Sequence, residues 1–400
     1  MSTTPVTPKN GGGPAADNKN TYLTVRKIDG KPGKVYYPLQ LHTAPIPKPG
    51  PGELLVELHA AALNHRDLFI RQHLYPGISF THPLLADGCG TVVRCGGSSG
   101  TEPSSSSNSL LHRKVILTPT RGWHDSRDGP EDLKKYTVIG GSSGSPAGAA
   151  QRYIVVPASE VEPSPTHLSA VEAAALPLVG VTAWRALVTK CFDGDQARAA
   201  GRNVLVTGIG GGVALQVLQF GVALGCNVYV TSGDAAKLQR ATSPELGAKG
   251  GVSYRDKDWD AQLGRMLPKN RPFLDAVVDG AGGDLVARTV RLLKPGGILS
   301  CYGMTVSPNM NWSMGAVMKN IELRGSTMGS RAEFAAMAEF VRQHKIRPVV
   351  SRVVKGGLED LDAINGLYDD MRQGKQFGKL VIEISPEGKS QEGAGVTAKL

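Results

Sequence analysis

The stretch from Asn203 to Gly225, NVLVTGIGGGVALQVLQFGVALG, joins a β-branched run to an apolar helical pattern through glycines at 208, 210, 211 and 212. A strand that feeds a helix through such a turn lets backbone amides approach a pyrophosphate, and the helix N-terminus favours the anion. Gly208 and Gly210 take the first two glycine positions of G-x-G-x-x-G, while the third falls on Val213, with Ala214 next. That departure bears on how closely the helix packs against its strand more than on the phosphate site.

Working outward, CNVYVTSG (226–233) reads as a second strand, DAAKLQRATSPELGA (234–248) as a helix and GGVSY (250–254) as a short third strand. LDAVVDGAGG (274–283), GGILSCYG (296–303) and IELRGS (321–326) supply three more strands. A helix is expected over Leu285–Leu293, closed by Lys294-Pro295-Gly296. Short strands without strong alternation, separated by helices, specify a parallel sheet covered on both faces. The fold class is α/β, with a doubly wound dinucleotide-binding sheet at its centre.

The second strand bears on the choice of cofactor. A site for NAD usually carries Asp or Glu about 20 residues past the glycines, on the ribose 2′-hydroxyl. Here the strand ends Val230-Thr231-Ser232-Gly233, with no acid at its tip. Ser232 leaves room for a 2′-phosphate, and Lys237 and Arg240, one turn apart on the next helix, would neutralise it. The expected cofactor is NADP(H). Asp234 is the open alternative, since a register shift would turn it toward the ribose.

Composition narrows the class further. The 400 residues are 40% hydrophobic and 20% charged, a globular balance, and the 50 glycines follow no Gly-X-Y period. No run approaches the ~18 apolar residues of a membrane span. The first twenty residues lack both an apolar signal core and an Arg-rich transit pattern, so they read as a tail. Net charge is +10, but the basic residues are dispersed, so neither nucleic acid nor membrane is an expected partner. Cys89, Cys95, Cys191, Cys226 and Cys301 are widely spaced without a C-x-x-C, which fits a reducing compartment and excludes a zinc ribbon. The Gly/Ser-rich inserts at 96–109 and 140–148 read as surface loops.

Several strings together resemble the medium-chain dehydrogenase/reductase superfamily: PGPGELLVELHAAALNHRDLF (49–69), PLLADGCGTVV (83–93), VEAAALPLVGVTAWRAL (171–187), KPGGILSCYG (294–303) and QFGKLVIEI (376–384). The resemblance implies a GroES-like β-rich catalytic domain built from both chain ends around a Rossmann domain. The boundaries expected are a tail over 1–20, the catalytic domain over 21–180, the Rossmann domain over 181–332, the return over 333–385 and a second tail over 386–400.

Alcohol dehydrogenases of that superfamily place a catalytic Cys before a His/Arg-Thr/Ser-Asp string, where this chain has Asn64-His65-Arg66-Asp67. Their second ligand lies in a Gly-His-Glu string, matched here by Ala86-Asp87-Gly88, and the four-cysteine structural lobe is replaced by the Ser-rich insert. Arg66 replaces the hydroxyl residue that relays the alcohol proton. No zinc is expected; Cys89 and His65 as substitute ligands are the weaker reading.

The chain then resembles the zinc-free quinone oxidoreductase and enoyl reductase branch, which implies NADPH-dependent hydride transfer to a quinone, enone or enoyl thioester. Within it, RQHLYPG (71–77) resembles the segment whose tyrosine faces the nicotinamide. Tyr75 becomes the candidate enolate or proton donor, with a pocket wall as its alternative role, and Asn64 would fix substrate or ribose. Thr182 resembles the residue packing against the nicotinamide. Tyr302 and Gly303 end the fifth strand beside the cofactor, and Phe377, Gly378 and Lys379 match the segment closing on the adenosine phosphate side. His65 is a pyrophosphate contact, a second acid or a surface histidine; His73 and His82 read as structural.

The resemblance also implies a homodimer in the cytoplasm. The terminal Ala398-Lys399-Leu400 looks like a variant of the Ser-Lys-Leu address, which makes a peroxisomal import receptor a further expected partner. The rival readings are an alcohol or aldehyde dehydrogenase-like enzyme with unusual metal ligands, and a non-catalytic NADPH-binding protein.

Overall fold

The computed structural model describes residues 19–97 and 109–387. Most of the Ser-rich insert, the first eighteen residues and the Ala398-Lys399-Leu400 terminus lie outside the described residues.

Six parallel strands form the central sheet, in the spatial order Gly250–Ser253, Asn227–Ser232, Asn203–Val206, Leu274–Asp279, Leu293–Cys301 and Glu322–Gly325. Counted along the chain this is 3-2-1-4-5-6, so the strand order reverses beside Asn203–Val206. A doubly wound sheet binds its dinucleotide in the crevice at that reversal. The inner strands Asn203–Val206, Asn227–Ser232 and Leu274–Asp279 are almost wholly buried because helices cover both faces, while the outer strand Glu322–Gly325 is largely exposed. Helix Gly212–Ala223 packs through Phe220, whose ring meets those of Trp184 and Phe340 edge-on at 6.0 and 5.7 Å. Each such pair contributes roughly 1 kcal/mol beyond the area it buries.

A second, mixed sheet runs Val350–Val354, Lys379–Glu383, Glu53–Ala62, Asp87–Cys95, Lys114–Leu117 and Val161–Pro163, with Tyr153–Pro157 also paired to Glu53–Ala62. Its register positions the cleft. Ala62 pairs with Asp87 on one side and with Val381 on the other. Antiparallel pairing therefore brings Asn64, two residues past Ala62, toward Lys379, two residues before Val381. Strands distant in sequence thus converge at one end of the sheet. This is the GroES-like and Rossmann α/β architecture that the sequence implied.

Three local expectations change. The helix expected over 285–293 spans only Leu285–Thr289, and Lys294-Pro295-Gly296 lies within the strand Leu293–Cys301, where pairing with the Leu274 strand shifts register. The helix expected over 234–248 stops after Ala235–Ala241, because Pro244 disfavours helical backbone before it. The 140–148 segment is packed rather than exposed: Gly140, at φ +86°, lies so close to Leu85 that any Cβ there would overlap the Leu85 carbonyl. Its glycines serve backbone-to-backbone contact, which composition alone reads as a flexible loop. Among the described residues no helix is long and apolar enough to cross a membrane.

Candidate active site

The glycine turn builds the phosphate end of the cleft. Gly208 and Gly210 take φ values of +64° and +120°, open to glycine and strained for other residues. The turn is pinned to the second strand, since Gly208 N donates to Thr231 Oγ1 at 3.2 Å and Ile209 N to the Thr231 carbonyl at 2.8 Å. Gly211 caps the helix that begins at Gly212, whose first amides lack intrahelical acceptors. A Cβ added to Gly208 would meet nothing within 4 Å, so open space faces the turn. These residues fit a dinucleotide pyrophosphate. Val213, at the third motif position, packs beside Leu178, Val179 and Met328, while Ala214 takes the buried place.

The far side of the turn is closed by the chain's C-terminal strand. Gly378 N donates to the Gly210 carbonyl at 3.0 Å, and Arg240 stacks on the Phe377 ring at 4.5 Å. Lys237 reaches across the turn, with its stem against Gly210 and its ammonium on the Gly374 carbonyl at 2.6 Å. The two cations expected at the ribose therefore face the 374–378 segment instead. Ser232 is buried at the strand tip and accepts from Asp234 N at 3.2 Å. Asp234 caps the next helix, accepting from Ala236 N at 2.9 Å and Lys237 N at 3.2 Å, so its carboxylate is engaged away from the ribose.

Two residues absent from the sequence reading occupy the strand tip. A Cβ on Gly233 would fall 2.6 Å from the Tyr254 hydroxyl and 2.8 Å from Arg255 Nε. Both side chains are exposed and have no hydrogen-bond partner among the described residues. They follow the third strand directly, and its short GGVSY pattern was the signal available.

Beside Gly212 of the same turn, Lys379, Asn64 and Asp87 close into one buried network. Lys379 Nζ donates to Asn64 Oδ1 at 2.7 Å, Asp87 Oδ2 at 2.8 Å and the Leu63 carbonyl at 2.8 Å. Asn64 Nδ2 donates to the same Asp87 oxygen at 2.9 Å. The other Asp87 oxygen accepts from Leu178 N at 2.8 Å, at the N-terminus of helix Pro177–Trp184. The Lys379 ammonium, expected on the adenosine phosphate side, lies in this network with its stem against Gly212 of the glycine turn, and the Asn64 amide, expected at substrate or ribose, faces Lys379 and Asp87.

Thr182 is buried one turn along that helix, its hydroxyl donating to the Leu178 carbonyl at 2.7 Å. The Tyr302 ring lies over Gly280, and its hydroxyl is pushed above the ordinary tyrosine range by burial and by Asp279. Gly303 sits beside the same glycine, so the ends of the fourth and fifth strands meet there.

Arg66, His65, Tyr75 and Tyr136 form a further group of polar and aromatic side chains near the start of helix His65–Arg71. Arg66 is buried and donates through Nη1 to the Ile139 and Gly140 carbonyls at 3.0 and 2.8 Å, and to Asp67 Oδ1 at 3.2 Å. Its guanidinium lies 4.7 Å from the Tyr75 ring centre. Asp67 is wholly buried, which pushes its carboxyl up to about 6 against the opposing pull of Arg66. His65 has accessible surface, yet surrounding protein and the Lys379 charge hold its pKa below the ordinary value.

This donor set does not fit a zinc ion. Asp87 already accepts three hydrogen bonds, and an ammonium sits 2.8 Å from its carboxylate, where a dication would be repelled. Among the described residues no three His, Cys, Asp or Glu side chains cluster in a way that would hold a metal.

Comparison with known proteins agrees with this architecture. Residues 50–166 match the family described as alcohol dehydrogenase GroES-like domain, and residues 212–343 match that described as zinc-binding dehydrogenase. The chain is 57% identical over 365 residues to the zinc-type alcohol dehydrogenase-like protein YogA of Leptosphaeria maculans, covering 90% of this chain and 99% of that one. It is 25% identical to the acryloyl-coenzyme A reductase of Metallosphaera sedula, over 84% of this chain and 93% of the other. A crystal structure of an NAD-dependent alcohol dehydrogenase superposes with a TM-score of 0.72 at 27% identity, covering 91% of this chain and 99% of that one. On this fold, these motifs and this identity, the chain belongs to the medium-chain dehydrogenase/reductase superfamily of oxidoreductases.

Proposed function

We propose that the protein is a zinc-independent, NADPH-dependent reductase of conjugated carbonyl compounds. The observation that carries this reading is the Lys379 ammonium bonded to Asn64 and Asp87. The three ammonium protons and the Asn64 amide are spent on protein acceptors, so a fixed, internally bonded cation rather than a Lewis acid stands at these positions. The acryloyl-coenzyme A reductase relative supports an enoyl thioester as one acceptor class.

When bound, the reduced nicotinamide supplies a hydride to the β-carbon; the double-bond electrons pass to the carbonyl oxygen, and a proton returns to the α-carbon. Gly208, Gly210, Gly211 and Gly212 hold the pyrophosphate, closed in by Gly378. Tyr254 and Arg255 take the 2′-phosphate at Ser232 and Gly233, which sets the preference for NADPH. Thr182, Val213, Tyr302 and Gly303 wall the nicotinamide end. Lys379, Asp87 and Asn64 are positioning residues that fix the helix Pro177–Trp184 against the mixed sheet. The Tyr75 hydroxyl, without a partner among the described residues, delivers the proton.

The protein acts as a homodimer in this account. Val306, Met314, Val317, Met318 and Leu323 are exposed large apolar side chains beside Glu322–Gly325, the outer strand of the parallel sheet. An apolar patch along an unpaired edge marks an association surface.

Metal analysis joined to an activity assay tests the central reading. Purified protein is expected to contain no stoichiometric zinc and to oxidise NADPH with an enone or enoyl thioester at a rate unaffected by chelator. Stoichiometric zinc with chelator-sensitive oxidation of alcohols would establish instead the alcohol dehydrogenase activity that the YogA-like relative's name suggests.

A further inference from the structure

Arg66 is 93% buried, yet among the described residues Nε and Nη2 have no hydrogen-bond partner, and its hydrogen bonds all run through Nη1. The buried Tyr136 hydroxyl has Thr327 as its neighbour but makes no well-formed hydrogen bond among the described residues, and burial, with Tyr75, pushes its pKa up against the pull of Arg66. Buried donors without acceptors are costly to leave unpaired, so several in one place call for an explanation.

Which nitrogens are free identifies what they await. Nε and Nη2 form the lateral edge of the guanidinium, from which two N–H groups point in parallel, a spacing that matches the two oxygens of a carboxylate. A lone carbonyl would use one of them. We propose that Arg66, with Tyr136, binds a carboxylate on the substrate, so that the acceptor is a conjugated carbonyl compound bearing a free carboxylate. The conjugated-carbonyl part rests on the reductase reading above; the carboxylate part rests on Arg66 alone.

The remaining contacts suit that task. Nη1 fastens the guanidinium to the 139–140 carbonyls and to Asp67, so the fork is held before any ligand arrives. Tyr75 covers the face of the guanidinium and leaves its in-plane lateral edge to the carboxylate. Ile139, Leu178, Val179 and Met328 form an apolar cluster with Tyr136, which suits the carbon skeleton of a small oxo acid. Apolar walls around a single charged fork favour an anion of matching shape over a neutral ester.

Binding and turnover are measured separately. Calorimetric titration of the NADP⁺-loaded full-length chain uses levulinate, which lacks the reactive double bond, and methyl levulinate. The acid is expected to bind at least about tenfold tighter than the ester, the difference of a charge-assisted bidentate pair. Arg66→Met should erase that difference, while Arg66→Lys, with charge but no fork, should recover part of it. Tyr136→Phe gives up at most a weak contact with Thr327, so it should fold normally and weaken levulinate severalfold. Equal binding of acid and ester by the wild type, or an acid preference that survives Arg66→Met, overturns the proposal. NADPH oxidation is then followed with β-acetylacrylate and its methyl ester. Acid binding without reduction of either compound upholds the Arg66 site and overturns the reductase reading. Reduction of both with equal kcat/KM upholds the reductase and overturns the carboxylate site.

Discussion

Lys379 and Asp87 form an ion pair with an Nζ–Oδ2 distance of 2.8 Å and side chains that are 4% and 0% exposed. Strand register brings them together across 292 residues of sequence. Two buried charges taken from water are expensive to separate, because removing one partner leaves the other unpaired at a cost of about 3–5 kcal/mol. Lys379→Met should therefore lower unfolding stability by that order in urea titrations. Asp87→Asn in the same chain should restore much of the loss. A double variant less stable than Lys379→Met would contradict this pairing.

Cofactor preference should map to the tip of the second and third strands. Arg255→Ala removes a guanidinium beside Gly233 that has no partner among the described residues, so the KM for NADPH should rise about tenfold with that for NADH unchanged. Lys237→Ala should have the smaller effect, since its ammonium already serves the Gly374 carbonyl. Steady-state kinetics with both cofactors separates these outcomes. A larger loss at Lys237 than at Arg255 would return the phosphate to the helix.

Asp67 gives stability a defined pH dependence. Burial raises its folded pKa from 3.8 to about 6, so the folded state holds a proton that the unfolded state has released. The resulting stabilisation is complete below pH 3.8 and is lost as pH rises through about 6. Its size is at most about 3 kcal/mol, from two pKa units at 1.36 kcal/mol each. Asp67→Asn lacks this dependence, so its stability relative to wild type should improve as pH rises from 4 to 7. Parallel stability curves for the two proteins would contradict the raised pKa.

The outer strand of the parallel sheet offers a test of assembly. Leu323→Glu places a charge on the apolar edge, where the wild-type side chain is 44% exposed. Sedimentation should show the wild type as a dimer and the variant as a monomer with unchanged circular dichroism. A wild type that sediments as a monomer would remove the edge pairing.

The glycine turn was legible in sequence because its chemistry is local. Positive φ at Gly208 and Gly210, a strand before and a helix after are all written within about twenty residues. The Lys379 network was not legible, since it depends on Ala62 pairing with both Asp87 and Val381. Nothing near Lys379 in the chain records that register. The 140–148 segment misled through composition: its glycines allow close backbone packing and offer the carbonyl that holds Arg66. Lys237 and Arg240 lie on the helix that sequence placed beside the ribose, but their side chains turn toward 374–378, a contact made across 137 residues.

The most direct test of the central claim is where the hydride goes. NADPH deuterated at the transferring position of C4 is reacted with an enone, and the product is analysed by nuclear magnetic resonance. This account predicts a saturated ketone with deuterium on the former β-carbon. Deuterium on the carbonyl carbon, in an allylic alcohol, would contradict it and identify the protein as a carbonyl-reducing alcohol dehydrogenase.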